Sequence, residues 1–161
     1  MRVNSTTEFL SPGSDPVTGL PNRAVLHWYL EYLFALAPGK SPASALLVIA
    51  LDEAETMRND FGDGIFNTFM QIVALRFREL AKPGQFVSVS GADEFAFVIS
   101  DCTGRVDCIA LANDLLSRVN ETMKIDGYVR FSSAKIGIAF ADFKSETPAP
   151  TSTTSTLVMS A

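Results

Sequence analysis

Two short apolar runs, Phe86 to Val89 and Phe95 to Ile99, flank the stretch Ser90-Gly91-Ala92-Asp93-Glu94. Two β-type runs joined by a Gly-containing acidic turn read as a hairpin with two carboxylates at its tip. That hairpin commits the chain to a sheet. Ala45 to Leu51 is a continuous apolar run bounded by polar residues, the pattern of a central strand covered on both faces.

The helices follow from a different period. Ser11 to Asn22 is rich in Pro, Gly, Ser and Asp and reads as a loop entering a helix, on which Leu26, Tyr29, Leu30, Leu33 and Leu36 recur until Pro38-Gly39 stops them. A second helix is predicted over 64–80, with Ile65, Phe66, Phe69, Ile72, Val73 and Phe77 inward. Ile109, Leu115, Leu116 and Val119 mark a third after a turn at 101–104. Ile125-Asp126-Gly127-Tyr128 carries an Asp-Gly hairpin signal, and Phe131 to Phe140 reads as the last strand. The order predicts an α+β sandwich with a mixed or antiparallel sheet, and it excludes the alternating parallel units of a Rossmann fold. Lys144 to Ser155 is Pro, Ser and Thr-rich and reads as a loop. Thr156 to Ala161 reads as a frayed end or a first helical turn.

At 161 residues the chain is one domain's worth. Lys and Arg number 13 against 18 Asp and Glu, which argues against nucleic acid or an anionic membrane as partner. Met1 to Ser14 has no signal-peptide pattern and no apolar run is long enough to span a bilayer, so a cytoplasmic location is expected. Cys102 and Cys108, without metal-ligand company, read as reduced thiols. Several features also have plain readings. Asp93-Glu94 alone is more often a solvated turn than a metal site. Asp52, Glu53 and Glu55 suit a polar helix cap, His27 and Trp28 a helix face, and the twelve Phe a core. Gly62-Asp63-Gly64 lacks the Gly-Lys-Ser/Thr ending of a phosphate loop.

The hairpin is one letter from Gly-Gly-Asp-Glu-Phe, and Asp15-Pro16-Val17-Thr18-Gly19-Leu20-Pro21-Asn22-Arg23 matches the Asp-x-Leu-Thr-Gly-Leu-x-Asn-Arg opening of GGDEF (diguanylate cyclase) domains. Ile136-Gly137-Ile138-Ala139 is similar to that family's Ser-Ile-Gly-Ile-Ala strand. The resemblance covers about Asp15 to Ala161, with 1–14 as an N-terminal extension. It implies a GGDEF/nucleotidyl-cyclase-like sheet flanked by helices. It also implies a domain that, when active, condenses two GTP into cyclic di-GMP with Mg2+ or Mn2+ held by carboxylates. Asp93 fills the metal-binding place in the hairpin and Glu94 the next acidic one, a vestigial catalytic residue. Gly91 and Ala92 fall where the backbone approaches phosphate.

The resemblance also exposes losses. Counted without a gap, Ala50 falls on the metal-binding Asp that ends the first strand and Asp52 on the second Asp. Arg58 falls on the guanine-contacting Asn, Glu55 on a Lys, Gly62 on the family Gly and Asn67 on the base-reading Asp. A one-residue deletion instead makes Asp52 a metal ligand and Asn59 the guanine contact. A left-handed Ala92 would carry a strain of about 1 kcal/mol. The inhibitory Arg-x-x-Asp site reads Lys82-Pro83-Gly84-Gln85, so no inhibitory site is expected. The family's final basic helix is expected to be missing, leaving the domain incomplete at its C-terminus and apolar surface exposed around the last strand. The implied function is a degenerate, catalytically silent regulatory or interaction module in cyclic di-GMP signalling. It would bind GTP or cyclic di-GMP weakly and partner itself or a downstream signalling domain. The alternatives are a weak diguanylate cyclase and a fragment of a larger signalling protein.

Overall fold

In a computed structural model of the chain, the described residues are 12–35, 44–100, 102, 104–141 and, for the backbone, 156–160. Ten elements follow one another: α1 (Arg23–Ala35), β1 (Ser44–Leu51), α2 (Ala54–Leu80), β2 (Gln85–Val89), β3 (Glu94–Ser100), α3 (Arg105–Asn120), β4 (Met123–Ile125), β5 (Tyr128–Arg130), β6 (Ala134–Ala141) and β7 (Thr156–Ser160). Five strands form one sheet in the order β2-β3-β1-β6-β7, every pairing antiparallel, so the antiparallel alternative holds.

Alternation along β1 explains the layers. Ala45, Leu47, Ile49 and Leu51 are buried against the inner residues of α2 and α3, with Phe95, Phe97, Ile136 and Ile138 beside them. The opposite face, Leu46 with Ala96 and Val98, packs under Leu26, Leu33 and Tyr29 of α1. Phe77 of α2 is fully buried and meets Phe95 and Phe97 edge-on, at centroid distances of 5.1 and 5.6 Å. The Asp-Gly signal is realised in the β4–β5 hairpin, where Asp126 (φ 51°) and Gly127 (φ 80°) both occupy the left-handed region that a two-residue turn requires.

Three boundaries differ from the sequence reading. α2 begins at Ala54, not Gly64, because Met57 supplies a buried inner face before Gly62 breaks the helix at φ 82°, ψ 173°. That conformation is essentially open to glycine alone. β6 begins at Ala134, since Phe131 is 69% exposed and lies outside the ladder. Thr156–Ser160 does not open a helix: it is β7, paired antiparallel to β6 with Ile138 opposite Leu157 and Ile136 opposite Met159. A Thr-Leu-Val run suits the pleated backbone, and the unpaired edge of β6 offers it donors and acceptors. Ile136 and Ile138 are fully buried, so the apolar exposure expected around the last strand does not occur at these positions. Leu36, Pro38-Gly39 and the loop at 144–155 lie outside the described residues.

Candidate functional site

The opening loop is locked by its own side chains. The Asp15 carboxylate accepts from Val17 N–H (3.2 Å), Thr18 N–H (2.7 Å) and the Thr18 hydroxyl (2.8 Å). Gly19 turns the chain at φ 67°, and Asn22 caps α1 by accepting from Val25 N–H at 3.1 Å. Arg78 and Gln71 of α2 donate to the Thr18 and Val17 carbonyls, and Val89 N–H donates to the Pro21 carbonyl at 2.9 Å. The loop is thereby pinned to the strand that leads into the acidic hairpin.

At the hairpin, Ser90 N–H and Gly91 N–H both donate to the Glu94 carbonyl, at 3.0 and 3.4 Å. A Cβ on Gly91 would stand 3.0 Å from Glu94 Oε2, so the Glu94 side chain folds over a position where glycine leaves room. Asp126 is the one non-glycine described residue with positive φ, so Ala92 is not left-handed and the expected strain at that position is absent. Its exposed methyl is the whole of the change there.

The register across three strands arranges the rest. Ala50 lies opposite Glu94 on β3 and opposite Lys135 on β6, so one row reads Glu94, Ala50, Lys135. A methyl therefore stands beside the hairpin where the ungapped count places the metal-binding Asp. Leu51 N–H donates to the Asp93 carbonyl at 3.1 Å, which brings the end of β1 against the hairpin. The Asp52 carboxylate is engaged on the β6 side: it accepts from Lys135 Nζ at 2.7 Å and from the Ser133 hydroxyl at 2.9 Å. The backbones of Asp52 and Asp93 are thus neighbours, while the Asp52 carboxylate is engaged on the β6 side.

Those two hydrogen bonds, Lys135 first and Ser133 second, hold the Asp52 carboxyl below its ordinary value of 3.8. A lowered folded-state value adds stability that is fully present above the ordinary value and disappears as pH falls through the lowered one. Lys135→Met is therefore expected to cost about 0.2–1 kcal/mol at pH 7, the range of exposed pairs. That difference should vanish in urea titrations carried out below the folded value.

Among the described residues no group of three or more His, Cys, Asp or Glu is placed to hold a divalent cation. The remaining candidates line α2. Arg58 stacks over the Phe66 ring at 3.9 Å and pairs with Asp63 at 3.5 Å. Asn59 is exposed and Asn67 half-buried, on either side of the break at Gly62. Glu55 and Glu53 are exposed in and before the first turn of α2. Lys82-Pro83-Gly84-Gln85 forms a tight turn, with Gly84 at φ 85° and Gln85 Oε1 accepting from Lys82 N–H at 3.0 Å.

Lys135 went unnamed in the sequence reading, and Phe66 was read only as an inward core residue. Lys135 stands at the Ser of the Ser-Ile-Gly-Ile-Ala strand, and buried Phe66 at the second Gly of the family's Gly-His-x-x-Gly-Asp run. Both substitutions were visible by counting. Their contacts were not, because Lys135 meets Asp52 and Phe66 meets Arg58 only in the fold.

The sequence pattern described as "Diguanylate cyclase, GGDEF domain" matches residues 13–155. The chain belongs to the GGDEF family. The diguanylate cyclase TpbB of Pseudomonas aeruginosa is 26% identical over 136 residues, 84% of this chain but 31% of that protein. The chain thus spans about a third of the length of this curated relative. Among solved structures, the GGDEF domain of FimX from P. aeruginosa superposes with a TM-score of 0.77 at 22% identity, covering 85% of each chain. The GGDEF domain of DgcB from Caulobacter crescentus, solved in complex with c-di-GMP, gives a TM-score of 0.76 at 18% identity, covering 82% of this chain and 79% of that one. Both likenesses concern the GGDEF fold. Among the described residues no helix is long and apolar enough to cross a membrane.

Proposed function

We propose that this GGDEF domain does not synthesise cyclic di-GMP and works as a regulatory or interaction module in cyclic di-GMP signalling. The row Glu94, Ala50, Lys135 carries the reading. Phosphoryl transfer between nucleotides needs divalent cations to neutralise charge on the reacting phosphate. Here the methyl of Ala50 replaces the inner carboxylate, and Lys135 brings an ammonium to the remaining acid nearby, Asp52. Arg58 and Phe66 stack on each other, at the positions that correspond to the guanine-contacting Asn and to the glycine before the base-reading Asp. Removal of one transition-state charge contact costs on the order of a hundredfold or more in rate, so these changes together leave little activity.

The test is incubation of the purified chain with GTP and Mg2+ or Mn2+, followed by chromatographic detection of the dinucleotide. The expected outcome is none. Cyclic di-GMP that appears with this chain and disappears with Asp93→Ala would overturn the reading. The second reading, a slow cyclase using Asp52 and Asp93, draws on the Leu51 N–H to Asp93 carbonyl bond and requires Asp52 to leave Lys135. In a silent module, recognition without turnover remains: GTP or cyclic di-GMP held weakly, a second copy, or a neighbouring signalling domain of the longer protein that the relatives suggest.

A further inference from the structure

Cys102, just beyond β3, and Cys108, in the first turns of α3, are both free thiols, and their sulfurs are 2.6 Å apart. A disulfide bond is about 2.05 Å long, so a shift of roughly half an ångström joins them. Cys108 is fully buried, whereas Cys102 is half-buried. Both line a cavity of about 320 Å³ that also touches Leu80, Lys82, Gln85 and Ile99. We infer that Cys102 and Cys108 form a reversible dithiol–disulfide site, in which Cys102 is the attacking sulfur and Cys108 the resolving one, and that its oxidant is a small hydroperoxide. The inference is independent of whether the domain turns over GTP.

The surroundings divide the roles. The Cys102 S–H donates to the Gly104 carbonyl at 3.3 Å, a partner on the half-exposed rim that it can exchange for water. Burial, and then the contact with Cys102, push the Cys108 thiol up to about 12, which leaves the half-exposed Cys102 as the first sulfur to react. The Cys102 sulfur, the one nearer solvent, attacks one oxygen of hydrogen peroxide, and its thiol proton passes to the departing hydroxide. The O–O bond breaks, the departing hydroxide takes up a proton as water, and Cys102 becomes a sulfenic acid. The Cys108 sulfur then attacks the Cys102 sulfur. The S–O bond breaks, and the hydroxide leaves as a second water with the Cys108 proton. Two thiols and one peroxide yield one disulfide and two waters. A second, buried thiol already in contact traps the sulfenic acid before a further peroxide can oxidise it.

The product ties the end of β3 to the first turns of α3, on the wall of the cavity next to the Lys82–Gln85 turn. Reduction by a small dithiol returns both thiols through the reverse exchange.

The whole chain, reduced and then treated with hydrogen peroxide, should be weighed intact by mass spectrometry. The expected result is a loss of about 2 Da, two hydrogens, in a monomer, restored by dithiothreitol. The Cys108→Ala chain should instead be captured by dimedone at Cys102, and Cys102→Ser should keep its remaining thiol unmodified under the same dose. A wild-type chain that keeps both thiols, or that gains about 32 Da at Cys102 as a sulfinic acid, overturns the inference. So does a disulfide found between chains in place of one within a chain. The wild-type measurement decides even if the buried Cys108→Ala variant fails to fold.

Discussion

Replacing Phe77 with alanine is expected to lower the stability of the chain by about 3–5 kcal/mol, the range for emptying a buried aromatic site. Phe77 is fully buried, and its ring is held edge-on by Phe95 and Phe97, the two inner residues that follow the acidic hairpin on β3. The backbone carbonyl of the same residue also receives the N–H that ends α2 at Ala81, at 3.0 Å. Truncation therefore leaves a cavity where α2 meets the sheet, with fixed walls that cannot collapse into it. A domain of this size has about 5–15 kcal/mol in hand, so the loss is a large part of the total. Urea unfolding followed by far-UV circular dichroism would give it. A change under about 1 kcal/mol would show that α2 and β3 re-pack freely and that the aromatic contacts do not anchor the hairpin.

The second large effect is a gain. Ala50→Asp returns a carboxylate to the row beside Glu94, but Lys135 lies on its other side. An ammonium about 4 Å from a carboxylate near a protein surface competes with a cation by up to about 4 kcal/mol before screening. Ala50→Asp alone is therefore expected to bind Mn2+ poorly, and Ala50→Asp with Lys135→Ser at least tenfold more tightly, a difference of about 1.4 kcal/mol. Electron paramagnetic resonance of free Mn2+ reads this directly. Equal affinity of the single and double variants would remove Lys135 from the explanation. Binding by the unaltered chain as tight as that of the double variant would remove Ala50 as well.

Both outcomes bear on the proposal that this GGDEF fold keeps its shape while its chemistry is lost. The sheet, the locked opening loop and the acidic hairpin are all present, and they rest on burial and local hydrogen bonding, to which Lys135 adds only its pair with Asp52. Charge complementarity at the row does depend on Ala50 and Lys135. Burial and the charge pattern of the row thus rest on different residues of the same strands.

Much of the architecture was legible in the sequence because its signals are local. The apolar run at Ala45–Leu51, the paired runs around Asp93-Glu94, the helical spacing through Phe66, Phe69, Val73 and Phe77, and Asp126-Gly127 each act over a few residues. The opening motif and the hairpin together were enough to indicate the family. Three-dimensional register decided the rest. Asp52 is adjacent to Asp93 by backbone, but its carboxylate goes to Lys135, 83 residues along the chain. Neither count along the chain, gapped or ungapped, contains that partner. The terminal Thr156–Ser160 is too short to declare itself along the chain and becomes a strand by pairing with the edge of β6. Ala92 escapes the left-handed conformation because the turn closes through hydrogen bonds to the Glu94 carbonyl. Periodicity and turn chemistry belong to the sequence alone; which charges meet across strands belongs to the tertiary fold, because electrostatic energy depends on distances that only strand pairing sets.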